Sequence, residues 1–246
     1  MSMFCYQCQE AAKGTGCTIK GVCGKTDEVS NLQDLLIFIS KGVSTWALLA
    51  KEAKITTKEA DLFVTEALFT TITNANFDDA AIRKMIDRGI QTRELTKDRY
   101  IVSGANRPEG MHSSSWWTPE SDEDIEKKAT LIGVLSIENE DIRSLKELLT
   151  YGLKGMAAYA HHAFVLDYEN DEVYTFMHQA LVATTRHDIT ADELVQMVIE
   201  CGKFGVDVMS LLDKANTESY GNPEITEVNI GVKKNPGILI SGHDLK

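Results

Sequence analysis

Apolar residues recur along most of this chain at intervals of three and four, the spacing of a helix with one buried face. From Leu32 they fall at Leu32, Leu35, Leu36, Ile39, Val43, Trp46 and Ala47. The pattern predicts three helices in the first half, roughly over residues 30–52, 57–75 and 79–95, and three in the second, over 139–165, 171–187 and 190–216. Ser30 with Gln33, Thr56 with Glu59, and Thr190 with Glu193 carry the signature of a capping box, in which two side chains satisfy each other's exposed amides. Between the halves, residues 103–121 read SGANRPEGMHSSSWWTPES, whose Gly, Ser and Pro break any helix. Trp116 and Trp117 are expected to pack onto a bundle, and a short helix over 122–135 is expected to lead into the second half.

The chain repeats itself. Shifted by 113 residues, LQDLLIFISKGVSTWA (32–47) lies on LKELLTYGLKGMAAYA (145–160) without a gap. Leu32, Leu35, Leu36, Lys41, Gly42 and Ala47 meet identical residues, and the same shift carries Phe63 to Phe176, Thr71 to Thr184, Asp79 to Asp192 and Gly89 to Gly202. An offset held across three helices predicts two three-helix bundles derived from one unit. The fold class is therefore all-α.

After Tyr220 the character changes. Gly221, Pro223, Gly231, Pro236 and Gly237 punctuate it, and 227–232 and 237–241 read as β-strands. Residues 237–241, GILIS, are a short apolar run of the kind that starts a parallel α/β domain. One or two strands cannot cover a parallel sheet, so a further Rossmann-like α/β domain is expected to follow. The expected division is a loop over 1–28, bundles over 29–102 and 122–220, and the start of an α/β domain over 221–246.

Of 246 residues 43% are hydrophobic and 25% charged, a globular composition. No segment reaches the roughly 20 uninterrupted apolar residues that span a bilayer, so no membrane partner is expected. The net charge of −12 argues against a nucleic-acid partner and suits a basic redox partner. The opening MSMFCYQCQE has no apolar run behind a basic region, so no secretory signal is read and a cytoplasmic location is expected.

The chemistry concentrates in one window. Cys5, Cys8, Cys17 and Cys23 are spaced C-x2-C-x8-C-x5-C, and Cys201 is the only other cysteine. Four thiols this dense indicate an iron–sulfur cubane or a structural zinc; a disulfide framework suits a small secreted domain instead. Zinc sites usually show two tight knuckles, and only Cys5 and Cys8 form one here. Gly14, Gly16, Gly21 and Gly24 allow amides to turn toward sulfur, and Lys13, Lys20 and Lys25 would offset the charge of an anionic cluster. Gly21–Thr26, GVCGKT, ends like a phosphate loop, but Ile19 stands where that motif needs glycine.

Weaker candidates read as structural. Cys201 is expected to be a buried thiol within a helix. His161 and His162 are read as partly exposed, and Glu138, Glu140 and Asp141 as charges at a helix N-terminus. No G-x-S-x-G or H-E-x-x-H motif is present.

Residues 4–36, FCYQCQEAAKGTGCTIKGVCGKTDEVSNLQDLL, resemble the opening of the hybrid cluster proteins, also called prismane proteins or hydroxylamine reductases. The resemblance continues through ITNANFDDA, IENEDIRSLKELL and GLKGMAAYA and returns in the last 36 residues, LLDKANTESYGNPEITEVNIGVKKNPGILISGHDLK. It implies two helical bundles and a [4Fe–4S] cluster on Cys5, Cys8, Cys17 and Cys23. It implies that His243, in SGHDL just past a predicted strand, is a ligand of a second, hybrid [4Fe–2O–2S] cluster. The remaining ligands of that cluster would be cysteines and glutamates of later domains. It further implies a monomer that takes electrons from a donor protein. Hydroxylamine or nitric oxide would be the substrate of the complete oxidoreductase, and these 246 residues alone would be catalytically inactive. The residues themselves leave a zinc-stabilised helical interaction module open as the other reading.

Overall fold

A computed structural model describes residues 2–72, 75–227, 230–232 and 234–238. Among the described residues seven α-helices form the architecture: α1 (Asp27–Glu52), α2 (Lys58–Thr70), α3 (Asp79–Val102), α4 (Asp122–Leu131), α5 (Glu140–Phe164), α6 (Asp171–Ala183) and α7 (Ala191–Tyr220). The protein is all-α, as its periodicity predicts, and no strand forms among the described residues.

The repeat is visible in the helix bounds. Shifting α2 by 113 gives 171–183, the bounds of α6, and shifting α1 gives 140–165 against Glu140–Phe164 for α5. Every residue of the predicted apolar stripe from Leu32 to Ala47 is buried. The halves interlock rather than standing side by side. α2 packs on α5, α6 packs on α1, and one hydrophobic core takes residues from both.

Caps refine the predicted boundaries. Thr190 and Glu193 form the predicted capping box of α7. Ser30 does not start α1. The helix begins three residues earlier, where Thr26 Oγ1 accepts from the Val29 amide, and Asp27 and Glu28 complement the helix dipole. Ser30 is buried inside the helix, and Gln33 turns to Lys25 and the Asn76 carbonyl instead. Thr56 does not cap α2 either. Thr57 precedes it, and its hydroxyl donates to Asp61.

The inter-half loop is pinned from both sides. Arg93, fully buried on α3, donates to the carbonyls of Ser114 (2.9 Å) and Trp117 (2.7 Å) and to Thr118 Oγ1 (2.9 Å). Trp46 Nε1 donates to the Ser115 carbonyl. A Cβ built on Gly42 would lie 1.9 Å from the Ser114 carbonyl oxygen, so the loop crosses α1 where only glycine fits. Trp117 packs against Phe38 as expected, but Trp116 is exposed because the chain turns it outward after the short 3-10 turn Ser113–Ser115.

α1 is the one helix, among the described residues, long and apolar enough to cross a membrane, and two thirds of that window is buried in this core. Beyond Tyr220 the described residues carry no strand, and Ile225, Ile230, Val232 and Ile238 are exposed. Residues 239–241 of the second predicted strand, and His243, lie outside the described residues.

Candidate metal centre

The cysteine loop is folded by its own backbone. Cys5 and Cys17 exchange two hydrogen bonds, N to O at 3.0 and 2.8 Å, as one antiparallel bridge. Residues directly opposite in such a pair project to the same side, so these two thiols share a face. The Ala11 amide returns to the Cys8 carbonyl, and a left-handed turn at Lys13 (φ 59°) and Gly14 (φ 68°) reverses the chain. Gly16 is needed for a close approach, since a Cβ there would sit 2.7 Å from the Phe4 ring. Around Cys23, Gly21 bonds to the Lys25 carbonyl and Gly24 (φ 94°) back to Gly21.

The donor chemistry suits a metal–sulfur group. All four thiols are free. Cys17 is buried, and its sulfur already accepts the Ala12 amide at 3.4 Å, the kind of contact that tunes a sulfur-ligated cluster. Cys5 and Cys8 are half-buried and Cys23 is exposed. The fold thus gathers the four cysteines into one loop and sets Cys5 beside Cys17. It does not close them into a ligand set, and no group of three or more His, Cys, Asp or Glu stands ready for a metal among the described residues.

The loop rests on a charged wall that the sequence pattern does not announce. Lys25 is buried and donates to Gln33 Oε1 at 2.6 Å. Tyr6 stacks edge-on against Tyr151, with centroids 6.0 Å apart. Behind them stand Asp34, Glu147 and Lys154, which together with Cys5, Tyr6 and Tyr151 line a void of about 10 Å³. Burial, reinforced by the charge of Glu147, pushes the Asp34 carboxyl up, against the pull of Lys154, Lys25 and Lys41. Burial likewise lowers Lys154, whose Nζ donates to the Thr71 carbonyl at 3.2 Å. Helical periodicity reads such charges as a solvated face. Only the packing of α1 near α5 turns them inward.

The other sequence candidates take structural positions. Cys201 is buried on α7, its sulfur 3.6 Å from Met156 Sδ and pressed against Gly152, and burial pushes its thiol up to about 11. Such a thiol is inert. Asn139 caps α5, and Glu140 and Asp141 occupy its first turn. His161 and His162 stack on Phe69.

Comparison with known proteins follows the same outline. The family model of the Prismane/CO dehydrogenase family matches residues 3–246. A hydroxylamine reductase of Desulfitobacterium hafniense (strain DSM 10664 / DCB-2) is 58% identical over 246 residues, covering 100% of this chain and 45% of the relative. A hydroxylamine reductase of Clostridium botulinum (strain Kyoto / Type A2) is 54% identical over 269 residues, covering 100% and 47%. The chain spans about half the length of these curated relatives. It belongs to the Prismane/CO dehydrogenase family.

Proposed function

We propose that this chain is the electron-entry half of a hydroxylamine reductase, with Cys5, Cys8, Cys17 and Cys23 holding one [4Fe–4S] cluster. The observation that carries the reading is the loop itself: four free thiols on one backbone scaffold, one of them already accepting an amide hydrogen bond at its sulfur. When bound, the cluster supplies a one-electron redox centre. The chain's own residues would hold it and shape its surroundings. Ala12 N–H donates to Cys17, and Lys13, Gly14 and Gly24 supply the positive-φ turns of the loop. Exposure of Cys23 marks the side from which a donor protein would deliver electrons.

The rest of the reading extends to the complete protein. Its later domains would carry the hybrid [4Fe–2O–2S] cluster, with His243 among the ligands, and reduce hydroxylamine to ammonia or nitric oxide to nitrous oxide. These 246 residues, without those domains, would not turn over substrate. A monomer in the cytoplasm fits the reading.

Metal analysis on protein purified without oxygen tests it. About four irons and four acid-labile sulfides per chain, with an S = 1/2 signal on dithionite reduction, are expected, and Cys17→Ser should lose most of that iron while Cys201→Ser keeps it. About one zinc and no sulfide in freshly reduced protein would replace this reading with that of a structural zinc module.

A further inference from the structure

The 113-residue offset superposes more than helices. It carries Asp34 onto Glu147 and Lys41 onto Lys154, so each of α1 and α5 bears a carboxyl and, seven residues on, a lysine on the same face. It also carries Phe38 onto Tyr151 and Thr71 onto Thr184. The charged frame therefore exists twice. On one side, the cysteine loop fills it and Lys154 is satisfied by the Thr71 carbonyl. On the other, Lys41 and Thr184 line a cavity of about 620 Å³ between α1, α5 and the inter-half loop.

The donors in that cavity have few direct acceptors. Among the described residues no hydrogen bond or close ion pair engages Lys41 Nζ, on which Glu147 and Asp34 act only through their charge. Lys146 Nζ gives one proton to the Arg186 carbonyl at 2.8 Å and keeps two. His112 Nδ1 accepts from the Ser114 amide at 3.3 Å, which fixes the ring proton on Nε2. The His187 ring lies 6.2 Å from it. Burial, together with the charges of Lys41, His187, Lys128 and Lys146, holds His112 down to about 4, so it is a neutral donor among cations. The charges of Glu147 and Asp34 reach Lys41 from one wall of the cavity. Asp34 and Glu147 line both the cavity and the void beside Cys5 and so form the wall between them, while Glu138 is exposed.

We propose that the cavity binds a small oxyanion, either inorganic or the carboxylate of a small organic acid, held by Lys41, Lys146 and the Nε2–H of His112. Lysines crowded together with spare N–H donors repel one another, and an anion supplies charge-assisted bonds to all of them at once. The volume falls in the range of small-ligand sites. The site is independent of whether the cysteines are metallated.

Calorimetric titration of the 246-residue chain with inorganic phosphate and, separately, acetate, at low ionic strength, tests the assignment. Saturable binding of at least one probe is expected, weakened about tenfold or more by Lys41→Met and by Lys146→Gln, and unchanged by Lys203→Met on exposed α7. Phosphate binding above acetate would identify an inorganic source, and the reverse an organic acid. No saturable heat with either probe, or binding unaffected by both cavity variants, overturns the proposal.

Discussion

His178 sits fully inside the protein, with Nδ1 2.9 Å from Ser44 Oγ and Nε2 2.7 Å from Asp61 Oδ1. Geometry of this kind resembles a hydrolytic triad, but all three side chains are buried, and the arrangement is a structural one. Burial holds the imidazole below its ordinary value despite the opposing pull of Asp61. Burial alone would raise Asp61, but the hydrogen bonds from His178 and Thr57 and the charge of Lys51 outweigh it and hold the carboxyl down. The neutral ring therefore donates to an ionised carboxylate. Because the folded value is depressed, stability is full above the unfolded histidine value of about 6.5 and falls as pH drops below it, by up to about 1.4 kcal/mol per pH unit, since the unfolded chain then binds a proton that the folded one refuses. Urea midpoints from pH 7.5 to 5 (an experimental window of roughly two units around that value) should fall more steeply for the parent than for His178→Gln. Equal slopes would show that the ring titrates alike in both states. His178→Ala should cost about 2–4 kcal/mol by leaving Asp61 short of a donor. Nothing in the spacing of Ser44, Asp61 and His178 announces this contact, because its partners are 117 and 134 residues apart. The four cysteines, by contrast, stand out as candidates because they lie close together in the sequence.

Helix faces obey the sequence more closely than helix ends do. The stripe from Leu32 to Ala47 is buried as predicted, because burial of an amphipathic face needs only some partner. Ends need a particular one. Thr190 caps α7 because Glu193 has a second oxygen to return the bond while the first takes Arg186, whereas Gln33 is claimed by Lys25 and Asn76, and Thr26 starts α1 instead. The repeated glycines separate two reasons for the same residue. Gly42 and Gly155 are equivalent by the offset. A Cβ on Gly42 would strike the Ser114 carbonyl, while one on Gly155 would meet nothing within 4 Å. Gly42→Ala is thus expected to destabilise by about 3 kcal/mol through overpacking, and Gly155→Ala to stabilise by about 0.5–1 kcal/mol by restricting the unfolded chain. Thermal unfolding of the two variants, measured together, checks both signs. Destabilisation of similar size in both would mean the two glycines do the same job.

The duplicated sequence predicts two three-helix bundles derived from one unit, and the packing joins the two halves. α2 lies against α5, α6 lies against α1, and the main core collects residues from every helix from α1 to α7, beside a small second cluster of Ala163, Leu212 and Ala215. Polar contacts cross in the same way, with Lys154 reaching the Thr71 carbonyl and His178 reaching Ser44 and Asp61. A half expressed alone would expose the apolar faces of α1 and α2 that α5 and α6 cover, at about 25 cal/mol per Å² of apolar surface. It would also strand the buried carboxyl of Asp61. Residues 1–110 by themselves are therefore expected to lack a cooperative transition, while the complete chain unfolds in one step with calorimetric and van't Hoff enthalpies in agreement. Two resolved transitions in the complete chain would mean that the bundles retain separate cores, and mixing the separately expressed halves would then restore nothing. If the core is shared, mixing them should recover helical structure, since each half carries the apolar surface that the other lacks.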